Sequence, residues 1–366
     1  MVKCYIELAS DARMITATPH LRRLQLCKKN ITFLPLLAWS LLFKCCVNLV
    51  KFIENILSQP DFIARHRFSE KDFVRDRILS LQVIILFLLN FLRGSYQDEL
   101  DNFFKNIRGY KIARRIVTKS EFSKARKKLK YQAFIELNQQ QTDFFYREFN
   151  PRTWQGLRLA AFDGSTVRLP PTNEIAEHFG TWGVHRGPSC PMARISQMFD
   201  PLNKISVDAL IAPKGVDERE LAAEHCRYLR KNTLILLDRG YPAFWLFKLI
   251  LSYEADFCAR VSNTKWNIVS EFYHSGLREK IVEIPPIKTA LAQCRDLGLD
   301  TAPFRCRLIR VELDSGETGI LITSLIDTAL YPYELFKELY HCRWPVEEDY
   351  KVIKTWLTME NFSGKS

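Results

Sequence analysis

The sequence predicts an α/β protein: a sheet-based core carrying a β-rich insertion, preceded by a small all-helical domain. Three observations carry that expectation. Between residues 157 and 261, apolar runs of strand length alternate with helix-length amphipathic stretches. Residues 69–130 read as helices opened by capping residues. From 264 to about 330 the alternation breaks and strand-like runs take over.

The core starts at Leu157 to Phe162, a mostly apolar run closed by Asp163-Gly-Ser. Ala193 to Phe199 and Ile205 to Ile211 form a hairpin around Asp200-Pro-Leu-Asn203, whose residue types favour a turn. Glu218 to Lys231 is an amphipathic helix, and Thr233 to Leu237 is a buried strand closed by Asp238-Arg239-Gly-Tyr241. Phe244 to Ser252 is a helix and Asp256 to Val261 a strand. Three strands, a helix, a strand, a helix and a strand is the order of the ribonuclease H-like fold, in which the first and fourth strands are central neighbours. An acid just after a buried strand emerges at the strand's carboxyl end, where open sheets build sites. Asp163 and Asp238 are therefore expected side by side.

The flanking segments are read in the same way. Residues 1–50 form an extension of unknown role. Residues 51–150 form the helical domain: Ser69-x-x-Asp72 is expected to cap a helix running to about Leu92, with Arg93-Gly94-Ser95 as its stop. A second helix follows from Ser95 to Phe104, and Thr118-x-x-Glu121 is another capping box. Between Lys105 and Lys130 eleven Lys or Arg face one acid, Glu121. Such density on short helices suits contact with phosphates, with Lys124, Arg126, Lys127 and Lys128 the nearest group, although a solvated helix face is the plain alternative. Residues 151–263 are the first part of the core. In the insertion, 264–330, strands are expected at Trp266 to Val269 and Lys280 to Ile284, with a hairpin from Phe304 to Leu325 turned at Asp314-Ser-Gly-Glu. Residues 331–366 return to the core as a helix.

Composition narrows the partners. With 47% hydrophobic and 26% charged residues the chain is ordinary globular protein. A net charge of +12 points to a polyanion, nucleic acid before an anionic membrane surface. The apolar run Ile31 to Phe43 falls short of the roughly 20 residues that span a bilayer. Ten cysteines without a CxxC pair read as reduced thiols of a cytoplasmic protein. His178, His185 and Cys190 match no zinc spacing and are read as structural.

The final helix carries the densest chemistry. In Tyr340-His-Cys-Arg343-Trp-Pro-Val-Glu347-Glu-Asp-Tyr-Lys351-Val-Ile-Lys354, positions 347, 351 and 354 share one helix face. A carboxylate beside two ammonium groups suits a site holding a divalent cation and phosphate oxygens. An exposed salt-bridged face is the alternative. Two strand-end acids and Glu347 together make a carboxylate cluster for hard cations. Pro345 is expected to start a fresh helix or to kink one.

Taken together, Asp163-Gly-Ser, Asp238-Arg-Gly-Tyr241 and Tyr340-x2-Arg343-x3-Glu347-x6-Lys354 resemble the DDE transposases of the insertion-sequence-four group, over roughly residues 55 to 366. The resemblance implies that Asp163, Asp238 and Glu347 bind metal, and that Tyr340, Arg343 and Lys354 grip the transposon-end backbone. Lys351 and Arg239, beside these residues, are added as DNA contacts. It further implies double-stranded DNA as partner, both terminal inverted repeats and target, and a homodimer in the DNA complex at the bacterial nucleoid. Within the insertion an aromatic residue is expected to stack on an extruded base, Trp266 being one candidate. Family members also continue with further helices, so a chain ending at Ser366 reads as a truncated copy or a short relative.

The chemistry is consistent with those residues. Three carboxylates can hold two Mg²⁺ ions about 4 Å apart, one activating a water or 3′ hydroxyl and the other steadying the leaving oxygen. Mn²⁺ can substitute. The expected function is cut-and-paste transposition. A metal-dependent nuclease on the same fold and an inactive DNA-binding remnant are the alternatives.

Overall fold

The computed structural model describes residues 48–90, 94–183, 189–264, 266–312, 316–356 and 360, which divide into two units between Phe144 and Phe145. The run Ile31 to Phe43, Arg93, His185 and the turn at Asp314 lie outside these residues.

The first unit is helical: α1 (48–58), α2 (Pro60–His66), α3 (Leu81–Leu88), α4 (Tyr96–Arg108), α5 (Lys119–Arg126) and the start of α6 (Gln132–Glu148). Its centre is aromatic, with Phe87 meeting Phe103 at 5.2 Å and Phe122 at 4.6 Å, edge to face. The helix expected from Ser69 begins instead at Leu81, capped by the Ser80 hydroxyl. Ser69 and Asp72 do bond reciprocally, but Phe73 has φ of 58°, a left-handed geometry that stops a helix from propagating. The capping box at Thr118 is present: its hydroxyl accepts from the Glu121 amide, and the Glu121 carboxylate accepts from the Thr118 amide. Thr118→Ala is expected to cost about 1 kcal/mol. Thermal melting of the purified chain measures this.

The second unit is a nine-stranded mixed sheet with helices on both faces. Its strands are β1 (Arg158–Arg168), β2 (Thr181–Trp182), β3 (Cys190–Asp200), β4 (Ile205–Ala212), β5 (Thr233–Leu237), β6 (Asp256–Val261), β7 (Glu279–Ile284), β8 (Phe304–Glu312) and β9 (Thr318–Thr323). The order is β2-β3-β1-β5-β6-β9-β8-β7, with β4 also paired to β3. Strands β4, β3, β1, β5 and β6 reproduce the ribonuclease H-like order, with β1 and β5 parallel at its centre. The helices are α7 (Asn173–Phe179), α8 (Glu218–His225), α9 (Phe244–Ser252), α10 (Asn267–Ser275), α11 (Lys288–Asp296), α12 (Leu335–His341) and α13 (Pro345–Lys351).

Three local expectations are corrected. Helix α8 stops at His225 and tightens into a 3-10 turn, Cys226–Tyr228, where the expected helix ran on to Lys231. His225 is held at that stop by Asp208 and Ser196, at 2.7 and 3.0 Å. Trp266 to Val269, expected as a strand, runs into helix α10, which buries Val269 and Phe272 at i and i+3. Helix α11 went unread, and β7 to β9 extend the main sheet through β6–β9 pairing.

Candidate acid site

Side chains alternate along β1, and this alternation builds the site. Leu159 and Ala161 belong to the core layer containing Phe336 and Leu339 of α12 and Val346 and Tyr350 of α13. Ala160 and Phe162 belong to the opposite layer, with residues of α8 and α9. Asp163 therefore falls on the α13 face and Gly164 on the α8 face. Consistent with this, the Tyr350 hydroxyl donates to the Asp163 carbonyl at 2.8 Å, and a Cβ on Gly164 would stand 3.4 Å from the Glu218 carboxyl carbon.

The parallel register pairs Phe162 with Leu237, so the next residues on the two strands are Asp163 and Asp238. Only one of them ends its strand. β5 stops at Leu237, whereas β1 continues to Arg168 because β3 goes on supplying partners, Asp163 opposite Gln197. Asp163 thus lies mid-strand, at the point where its parallel neighbour stops.

Glu347 arrives on a separate helix. Helix α12 ends at His341, and Pro345 opens α13 at its first turn, where a missing amide costs nothing. Val346 and Tyr350, four residues apart, bury against the sheet. Two further bonds seat the segment: Gln197 Nε2 donates to Asp349 at 2.8 Å and Lys354 Nζ donates to Ser165 at 2.6 Å. Gln197, Ser165 and Tyr350 were not singled out from the sequence. Tyr350 had a readable signal, its i+4 spacing from Val346, while the register that brings Gln197 there is invisible in one chain.

Arg343 lies between the two helices and is only 7% exposed. Its Nη2 donates to Glu347 Oε1 at 2.5 Å, and its Nη1 stands 3.9 Å from Asp163 Oδ1. Two acids from different elements thus contact one guanidinium. Asp238 accepts from the Tyr340 hydroxyl at 3.4 Å, and with Arg343, Tyr340, Trp344 and Arg260 it lines a cavity of about 940 Å³. Burial pushes the Asp163 carboxyl up to about 6; Arg343 pulls it down, and Glu347 and Asp238 push it up. Burial works against the charge on Arg343, yet Tyr340, Glu347 and Asp238 outweigh it and hold its pKa above the ordinary value. Tyr241, 3% exposed, has a hydroxyl with no hydrogen-bond partner among the described residues, and burial with Asp163, Glu218 and Asp238 nearby pushes its pKa up.

The remaining residues singled out from sequence are more dispersed. Lys351 is exposed and pairs with Glu348 at 2.6 Å, so it turns away from Glu347. Arg239 is exposed and lines a smaller cavity of about 430 Å³ with Arg260, Ser262 and Thr318. Trp266 packs edge-on to Phe247 at 6.1 Å, part of the core rather than an open stacking platform. His178 lies against Phe179 and Cys190 opens β3. In the helical unit Lys124 and Lys127 are exposed, Arg126 is half-buried and Lys128 pairs with Asp72 at 2.9 Å.

Carboxylate oxygens are the donors a hard divalent cation takes, so Asp163, Asp238 and Glu347 fit Mg²⁺ in kind. Their spacing is another matter. Among the described residues, no three His, Cys, Asp or Glu side chains stand close enough to hold an ion. Between Asp163 and Glu347 stands the guanidinium of Arg343.

Fold and site define a ribonuclease H-like core with Asp163 in its central strand β1, Asp238 just past the end of β5, and Glu347 on the helix packed against them. The transposase DDE domain matches residues 154–366, and the chain belongs to that family. Transposase InsG of insertion sequence element IS4, from Escherichia coli K12, is 25% identical over 202 residues, covering 55% of this chain and 45% of that protein. The chain thus spans about half the length of this relative. A cryo-electron microscopy structure of the piggyBac transposase synaptic complex with hairpin DNA superposes with a TM-score of 0.46 at 11% identity, over 83% of this chain and 67% of that one.

Proposed function

We propose that this chain is a DNA transposase of the cut-and-paste type, acting in the cytoplasm on the inverted repeats that end an insertion sequence. The observation that carries this reading is the meeting of acids from β1 and α13 at one buried guanidinium, beside the tip of β5. Family membership and the +12 charge support it.

In this reading Asp163, Asp238 and Glu347 hold two Mg²⁺ ions, with Mn²⁺ able to substitute. Bound there, the cations supply charge neutralisation at the scissile phosphate and activation of the attacking oxygen. The chain's own residues position the DNA. Arg343 offers donors for a bidentate phosphate grip, whereas Lys354, Lys351 and Arg239 act as point or single contacts. Tyr340 orients Asp238 and faces the same cavity. Lys124, Arg126, Lys127 and Lys128 contribute backbone contacts from the helical unit, and two copies pair on the DNA.

The test uses a labelled duplex carrying the element's end beside a scrambled duplex, with binding followed by gel shift and cutting followed with Mg²⁺ or with EDTA. The expected result is preferential binding of the end, Mg²⁺-dependent cleavage at its boundary, and joining of the cut end to a target plasmid. Equal cutting of both duplexes would indicate a plain nuclease. Binding without cutting would indicate a DNA-binding protein alone.

A further inference from the structure

The guanidinium that joins the acids also obstructs them. Arg343 meets Glu347 at 2.5 Å and Asp163 at 3.9 Å, and both contacts come from its terminal nitrogens. A side chain so placed supplies the positive charge that the carboxylates would otherwise take from a cation. The arrangement is also half-finished: Nε and Nη1 of Arg343 are buried without a hydrogen-bond partner among the described residues. Buried donors left unmade are costly, so this residue has a standing preference for an additional acceptor. The same residue lines the cavity of about 940 Å³ that opens beside Asp238.

We propose that Arg343 is a built-in counter-ion that keeps divalent cations out of the acid site until a DNA phosphate draws it away. This rests on the acid site acting as proposed above. A phosphate in the cavity offers the unpartnered nitrogens the acceptors they lack. As the guanidinium swings toward it, the carboxylates lose their partner and become a hard-cation site. Binding of DNA and of cations is thereby coupled, and linkage requires each to strengthen the other by the same factor. The consequence is order: the end of the element is engaged before the site is armed, which limits cutting of unengaged DNA.

The experiment measures Mn²⁺ binding to the DNA-free full chain by electron paramagnetic resonance of the free ion. Arg343→Gln is expected to bind Mn²⁺ about tenfold tighter than the unmodified chain, within the usual range for coupled sites. Adding Glu347→Gln should abolish that gain. Lys337→Gln, which removes a cation lining the same cavity without touching the acids, should change affinity less than twofold. Equal or weaker binding by Arg343→Gln, or an equal gain from Lys337→Gln, overturns the proposal. Absence of Mn²⁺ binding in every protein, with and without end duplex, instead removes the acid-site reading itself.

A second measurement needs no variant. In the ¹⁵N-arginine-labelled chain, the Arg343 Nε–H should gain protection from exchange, and its resonance should shift, when metal-free end duplex supplies it with a phosphate acceptor. An Nε–H whose exchange and resonance are unchanged in the DNA complex also overturns the proposal.

Discussion

Asp163→Asn, Asp238→Asn and Glu347→Gln are each expected to lower end cleavage by at least about a thousandfold, close to 4 kcal/mol of barrier, while end binding changes only a few-fold. Each exchange removes one carboxylate charge at nearly constant shape, so the basic side chains proposed to contact DNA remain in place. The acids sit on β1, after β5 and on α13, elements whose packing relies on Leu159, Leu236 and Val346 rather than on the carboxylates. Folding should therefore survive. Filter binding and single-turnover cleavage on one DNA end separate the two effects. A matched loss of binding and cleavage would place these acids in DNA recognition instead.

The second large effect is on stability and runs the other way. Burial raises the Asp163 carboxyl from an ordinary value near 3.8 to about 6, and its side chain is 18% exposed. A raised folded-state value means that the folded chain binds the proton more tightly than the unfolded one. The stabilisation from this group is full below about pH 4 and is lost as pH rises through about 6. Above that, keeping Asp163 ionised costs roughly 2–3 kcal/mol, from a shift of about two pKa units. Asp163→Asn removes the cost. In EDTA at pH 8 the variant should be more stable than the unmodified chain by about that amount, with the difference closing near pH 4. Urea denaturation at pH 4, 6 and 8 checks the sign. A variant less stable at pH 8 would show that the Arg343 contact outweighs burial. The trade is a familiar one, since a site built for chemistry holds charge where the fold would prefer none.

Much of this arrangement is legible in the sequence because local chemistry decides it. Thr233 to Leu237, Phe244 to Ser252 and Asp256 to Val261 were readable to the residue, since each is an apolar run with sharp polar edges. Thr118 and Glu121 announce a helix by a bond that needs no tertiary partner, and Pro345 announces one by lacking an amide. What escaped depends on neighbours distant in sequence. Nothing local to Asp163 says that β3 will carry β1 five residues further, and nothing local to Phe73 outweighs the capping pattern of Ser69 and Asp72. Trp266 to Val269 is too short for periodicity to separate strand from helix. Residues 264–330 looked like an insertion because the alternation stops there, yet their strands add to the free edge of β6.

The case of Arg343 is the most instructive. Its spacing from Tyr340 and Glu347 was readable, and the resemblance assigned it to DNA. The same i to i+4 spacing lets it close on Glu347 within its own segment. Only the packing of α13 on β1 shows that Asp163 lies within reach as well. Lys351 is the converse, expected beside Glu347 and found on Glu348 one position along.

Residues 163, 238 and 347 are proposed to share one cation site, and cleavage of the protein's own backbone by a bound ion tests this directly. Loading the chain, bound to its end duplex, with Fe²⁺ in place of Mg²⁺ and adding ascorbate and peroxide generates radicals that cut the backbone only beside the bound ion. Fragments ending near all three positions, suppressed together by excess Mg²⁺, are the predicted result. Cuts near one position alone, or at sites indifferent to Mg²⁺, would contradict it.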